Sequence, residues 1–116
     1  MSLLRIEERD LDDGRRELRL EGELDLAVAE RLQARLNAAL ADDVEVLVCL
    51  EECEFIDSTG IAVIVFTHRL MAGKGKRLLV CHPSPAVRRV LDLTGLIEQG
   101  LVVDGADAAL AERSAS

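Results

Sequence analysis

The chain has 116 residues, 49% hydrophobic and 31% charged, which are the proportions of one globular domain. Its 22 acidic residues outnumber 14 basic ones, giving a net charge of −8; such a surface repels phosphate backbones and anionic lipid and argues against nucleic acid and membrane as partners. With two Phe and neither Trp nor Tyr, the chain also lacks the stacking platforms of single-stranded nucleic-acid binders, and its core must come from Leu, Val, Ile and Ala.

Leu4-Arg5-Ile6 and Glu17 to Glu21 alternate apolar with polar residues, as half-buried strands do, and Asp12-Asp13-Gly14 between them is a turn signal. A hairpin is predicted there. Gly22-Glu23-Leu24-Asp25 leads into a first helix, with Asp25 as its N-cap and Val28, Leu32, Leu36, Ala39 and Leu40 on its inner face. That helix should end near Asp42-Asp43.

Val44 to Leu50 is nearly continuous in Val and Leu, a strand covered on at least one face. An acidic connector and Phe55-Ile56-Asp57-Ser58-Thr59-Gly60 follow, then a second helix from Ile61 to about Ala72, stopped by Gly73. Arg77 to Cys81 reads as the next strand. Ser84-Pro85 pairs an N-cap with proline at the first helical position and opens a helix over Ala86 to Leu93. Leu101-Val102-Val103 is a last short strand, residues 107–112 form a terminal helix, and 113–116 are expected to be a disordered tail. The order β-β-α-β-α-β-α-β-α predicts a single α/β domain over 1–116, with a mixed, mostly parallel sheet, an N-terminal hairpin and about four helices.

The N-terminal residues carry no signal-peptide run, and the longest apolar stretch, Ile61 to Phe66, is far shorter than the roughly 20 residues of a membrane span. A cytoplasmic location is expected. The odd number of cysteines then reads as free thiols. Cys49 and Cys81 lie in apolar strands as small core residues, whereas Cys53 sits among acidic neighbours. Cys49, Cys53, Cys81 and His82 lack a CxxC spacing, so no metal site is expected.

Asp57-Ser58-Thr59-Gly60, between a strand and a helix, belongs where loops project from the end of a parallel sheet. Two readings of Ser58 and Thr59 stand side by side. One is an N-cap, for which Asp, Ser and Thr are the preferred residues. The other is a phosphoacceptor, because a helix N-terminus tolerates an added dianion while an acidic surface around it, from Glu51, Glu52, Glu54 and Asp57, would become hostile to a docked partner. Enzymatic patterns are missing. Asp-Ser-Thr-Gly carries one residue more than the aspartic-protease triplet, no G-x-S-x-G elbow exists, and Gly73-Lys74-Gly75-Lys76 follows a helix and lacks P-loop spacing. His68 is expected at the surface or in a capping role, and Arg88-Arg89 on a solvated helix face.

Gly22-Glu23-Leu24-Asp25, Phe55-Ile56-Asp57-Ser58-Thr59-Gly60-Ile61 and the segment from Val80 to Leu96 together resemble the STAS domain, and more narrowly the bacterial anti-sigma factor antagonists. The resemblance implies a binding protein, not an enzyme, with no cofactor of its own. Ser58 corresponds to the serine phosphorylated by a cognate anti-sigma factor, a GHKL-type serine kinase. The unphosphorylated protein would hold that kinase and free the sigma factor, and a PP2C-type phosphatase would reset it. Asp25, Asp57, Ser58, Thr59, Gly60 and Ile61 would form the partner-binding surface. After Asp25, Leu26-Ala27-Val28-Ala29 is more apolar than the family pattern. The same resemblance admits a non-switched accessory subunit of a lipid-transport or stress-signalling complex, in which Ser58 is only a cap. From the residues alone, a nucleotide or small-ligand sensor using the same helix N-terminus is a third reading.

Overall fold

The computed structural model describes residues 5–95 and 102–103. Strands β1 (Arg5–Asp10) and β2 (Arg16–Leu24) pair antiparallel, from Arg5 opposite Glu21 to Asp10 opposite Arg16. The expected turn closes them. Gly14 takes φ 89°, a conformation glycine adopts without strain, and Asp13 accepts from the Arg15 backbone N–H at 3.0 Å and from its guanidinium at 2.9 and 2.6 Å. The Arg15 bond holds the Asp13 carboxyl below the usual carboxylate range, against the opposing effect of burial.

Helix α1 (Leu26–Asp42) buries Val28, Leu32, Leu36 and Ala39, a stripe at helical spacing. It stops where Asp43 turns into the left-handed region at φ 58° and its N–H closes on Ala39 O and Leu40 O. Strand β3 (Val46–Cys49) is buried throughout and lies parallel to β2. Helix α2 (Ser58–Gly73), strand β5 (Leu78–Cys81), helix α3 (Pro85–Leu93) and strand β6 (Val102–Val103) complete the alternation. As expected, Ser84 caps α3, its hydroxyl accepting from the Val87 N–H at 3.3 Å ahead of Pro85.

The sheet runs β1-β2-β3-β5-β6, with the further strand β4 (Cys53–Ile56) beside β2. That strand corrects the sequence reading, which left Glu51 to Glu54 as a connector. Its inward residues are Cys53 and Ile56, with Glu54 and Phe55 exposed between them, so no alternation betrays it. The pairing is possible because β2 is long. Its first half pairs with β3 (Arg16 to Arg19) and its last three residues with β4, across a register shift between Gly22 and Glu23. A second correction concerns α2, which starts at Ser58, three residues before the predicted Ile61. Three helices lie among the described residues; the helix predicted over 107–112 and the tail at 113–116 lie outside them.

One sheet face, carrying Leu18, Leu20, Leu24, Val46, Val48, Leu50, Leu78 and Val80, meets the buried stripes of all three helices, including Leu32, Leu36, Ile64, Met71, Val87 and Leu91. Each of the larger side chains contributes about 1.5–3 kcal/mol on full burial. Leu47, Cys49, Leu79 and Cys81 form a smaller buried cluster on the opposite face. No helix among the described residues is long and apolar enough to cross a membrane.

Candidate functional site

The parallel neighbours β2 and β4 end side by side, with Leu24 opposite Ile56. Each is followed at once by an aspartate that opens a helix. Asp25 Oδ1 accepts from the Val28 N–H at 3.2 Å, capping α1, and Asp57 Oδ1 accepts from the Gly60 N–H at 3.0 Å, capping α2. The Asp57 N–H itself donates to Leu24 O at 3.2 Å. The residues singled out at two distant points of the sequence thus meet at one edge of the sheet, where α1 and α2 begin.

The cap on α2 is Asp57. Neither hydroxyl has that role, which corrects the reading of Ser58 or Thr59 as an N-cap. Thr59 is half-buried, and its Oγ1 donates to Asp57 Oδ1 at 2.5 Å. Ser58, at the first position of α2, is exposed. The Thr59 hydroxyl, followed by the Gly60 N–H, holds the Asp57 carboxyl below its usual range. A carboxylate so stabilised is a poor general base.

Gly60 is buried, and its place explains why no side chain stands there. A Cβ would lie 2.7 Å from Leu24 Cγ, 2.8 Å from Leu24 Cδ2 and 3.1 Å from Ile56 Cγ1. Leu24 is fully buried and has nowhere to move. Gly60 therefore lets the first turn of α2 sit directly on β2 and β4. Ile61 is half-buried against the core.

Other exposed apolar side chains of α1 and α2 went unread in the sequence. Leu26, at the first position of α1, is 62% exposed, and Phe66 and Leu70 on α2 are 58% and 43% exposed. With Ser58 and Ala62, Phe66 and Leu70 follow at intervals of four along one outer face of α2. The run from Ile61 to Phe66 is apolar all round, so its periodicity does not reveal which side faces water. His68 differs from expectation too: it is half-buried, its Nδ1 lying 2.9 Å from Leu78 O and tying α2 to β5. Among the described residues no three His, Cys, Asp or Glu side chains are grouped as metal ligands.

The STAS domain family model matches residues 7–105. This chain belongs to the STAS-domain family. Among its STAS relatives is the anti-sigma F factor antagonist of Paenibacillus polymyxa, 31% identical over 97 residues, covering 82% of this chain and 83% of that one. The crystal structure of an anti-sigma factor antagonist from Mycobacterium paratuberculosis superposes with a TM-score of 0.84 at 28% identity, covering 96% of this chain and 95% of that one. The Bacillus cell fate determinant SpoIIAA in its phosphorylated form shares the fold, with a TM-score of 0.75 at 22% identity over 95% of this chain and 99% of that one. Within the STAS family, the chain is thus of the anti-sigma factor antagonist type.

Proposed function

We propose that this STAS protein binds a cognate anti-sigma factor, a GHKL-type serine kinase, while unphosphorylated, so that the sigma factor is released, and that phosphorylation of Ser58 by that kinase ends the binding. A PP2C-type phosphatase restores the free hydroxyl. The cycle runs in the cytoplasm, and the kinase supplies the nucleotide and the catalytic base.

The observation that carries this reading is the contrast between two adjacent hydroxyls. Thr59 is engaged with Asp57 at 2.5 Å, whereas Ser58 is exposed on the first turn of α2. A phosphate there adds about −1.5 to −2 charges at a helix N-terminus, which favours an anion, so the fold tolerates the modification. A docked partner does not. It would face a strongly hydrated dianion beside Asp57, with the exposed Glu23 and Glu54 on the same strand ends. Asp25, Thr59 and Ile61 complete the binding surface around Ser58, and Gly60 acts from beneath it by setting the turn.

The test is capture from lysate of the source cells by immobilised wild type, Ser58→Ala and Ser58→Asp, followed by mass spectrometry. Capture of a GHKL-type kinase by wild type and Ser58→Ala, and its loss from Ser58→Asp, is the expected pattern. Equal capture by all three would overturn the switch.

A further inference from the structure

Cys49 ends β3 and Cys81 ends β5, and the register of these parallel strands sets the two residues directly opposite each other. Both side chains lie on the same sheet face, in the small cluster with Leu47 and Leu79. Hydrogen-bonded strands run about 4.8 Å apart, inside the Cα separation of roughly 4.4–6.8 Å that a disulfide bridges. Neither residue is in a disulfide.

The same row continues across the sheet. Arg19 on β2 stands opposite Cys49, so a guanidinium flanks the thiol on the side away from Cys81. The Cys49 thiol is drawn down to about 6, first by its hydrogen bond with Cys81, then by the Glu51 backbone and the nearby charges of Arg19 and His82, against the opposing effect of burial. Cys53 contrasts with it. It belongs to the main core, donates to Phe55 O at 3.2 Å, and burial pushes its thiol up.

We propose that Cys49 and Cys81 form a reversible dithiol–disulfide pair, oxidised by a peroxide. The Cys49 thiolate attacks one peroxide oxygen: an S–O bond forms, the O–O bond breaks, and hydroxide leaves. The Cys81 sulfur then attacks the Cys49 sulfenic acid. The S–S bond forms, the S–O bond breaks, and the departing hydroxide leaves as water with the Cys81 proton. Two thiols lose two electrons, and one peroxide becomes two waters. Both sulfurs are buried, so attack proceeds through local opening at the strand ends, where Glu51 and His82 are exposed. Thiol–disulfide exchange with a reducing thiol reverses the bridge. The bridge clamps β3 to β5 where Leu50 N–H already donates to Cys81 O at 3.2 Å, just before the chain turns into β4 and Ser58.

The experiment treats the reduced full-length chain with hydrogen peroxide at neutral pH, alkylates the remaining thiols after denaturation, and digests with a protease that cleaves after glutamate. Cleavage at Glu51 and Glu52 separates Cys49 from Cys53. The expected product is a peptide pair linked through Cys49 and Cys81, lost on treatment with dithiothreitol, with Cys53 alkylated and oxidised at least about tenfold more slowly. Cys49 and Cys81 both alkylated after peroxide, a bridge to Cys53, or irreversible oxidation of Cys49 without a bridge would each overturn the pair. The readout involves neither kinase nor sigma factor, so it stands or falls apart from the switch at Ser58.

Discussion

The hydroxyl of Thr59 donates to Asp57 Oδ1 at 2.5 Å, and this one bond separates two side chains that are adjacent in sequence and alike in chemistry. It binds Thr59 into the cap of α2 and leaves Ser58 as the exposed hydroxyl of the pair. A kinase acting on this turn should therefore phosphorylate Ser58→Ala to a negligible extent, while Thr59→Ala still accepts one phosphate. Intact-mass spectrometry after incubation with the captured kinase and ATP reads both outcomes.

Ser58 lies inside the first turn and is not its cap, so replacing it should barely disturb the fold. Ser58→Ala should change unfolding free energy by no more than about 0.5 kcal/mol. Ser58→Asp, with its charge at the helix N-terminus, should be unchanged or more stable by about 0.3–1 kcal/mol at low salt. Urea denaturation checks both, and stable folding is what allows the binding result for Ser58→Asp to be read as electrostatic.

Asp25 and Asp57 each close the start of a helix, and each change to Ala should cost about 0.5–2 kcal/mol. Asp57 should lie at the upper end, because it serves both the Gly60 N–H and the Thr59 hydroxyl. Its carboxyl is depressed in the folded state. The stability it adds is therefore fully present above the ordinary carboxylate value of about 3.9 and is lost as pH falls through the lower folded value. Wild type should lose more stability than Asp57→Ala between about pH 5 and pH 3, measured by urea denaturation across that range.

Gly60→Ala should be among the most damaging small changes in the chain. The new methyl meets Leu24 at 2.7 Å, a contact that forces backbone or core to shift and should cost about 1–3 kcal/mol. Leu24→Ala alone opens a cavity and should cost about 2–5 kcal/mol. Combined, the two should cost clearly less than their sum, because the methyl then fills space the leucine vacated. A double-mutant cycle by chemical denaturation measures the coupling.

Cys49 gives a second pH-dependent contribution, at the other end of the scale. Its thiol falls from the ordinary 9.0 to about 6 on folding. The associated stability is complete above the unfolded value and is lost as pH falls through about 6. Under reducing conditions wild type should therefore gain stability relative to Cys49→Ala as pH rises through that window. Alkylation of Cys49 should follow the same titration, while Cys53 reacts slowly at neutral pH.

Much of this molecule can be read from local pattern. The stripe Val28, Leu32, Leu36, Ala39, the Asp12-Asp13-Gly14 turn and the Ser84-Pro85 helix start each carry their own periodicity or capping chemistry, so the elements, the mostly parallel order and the STAS resemblance follow from residues near one another in the chain. Asp25 as a cap belongs to this group. What pattern could not supply depends on partners far away in sequence. Cys53–Ile56 is a strand because the overlong end of β2 needs a neighbour, and its exposed Glu54 and Phe55 hide that role. Asp57, not Ser58, caps α2, because its N–H is already held by Leu24 O, which fixes where the helix can begin. The opposition of Cys49 and Cys81 is likewise a matter of register between strands with a helix between them in the chain. Periodicity tells which residues turn inward together; which residue of one strand faces which residue of another is decided only when the sheet closes and the core packs against it.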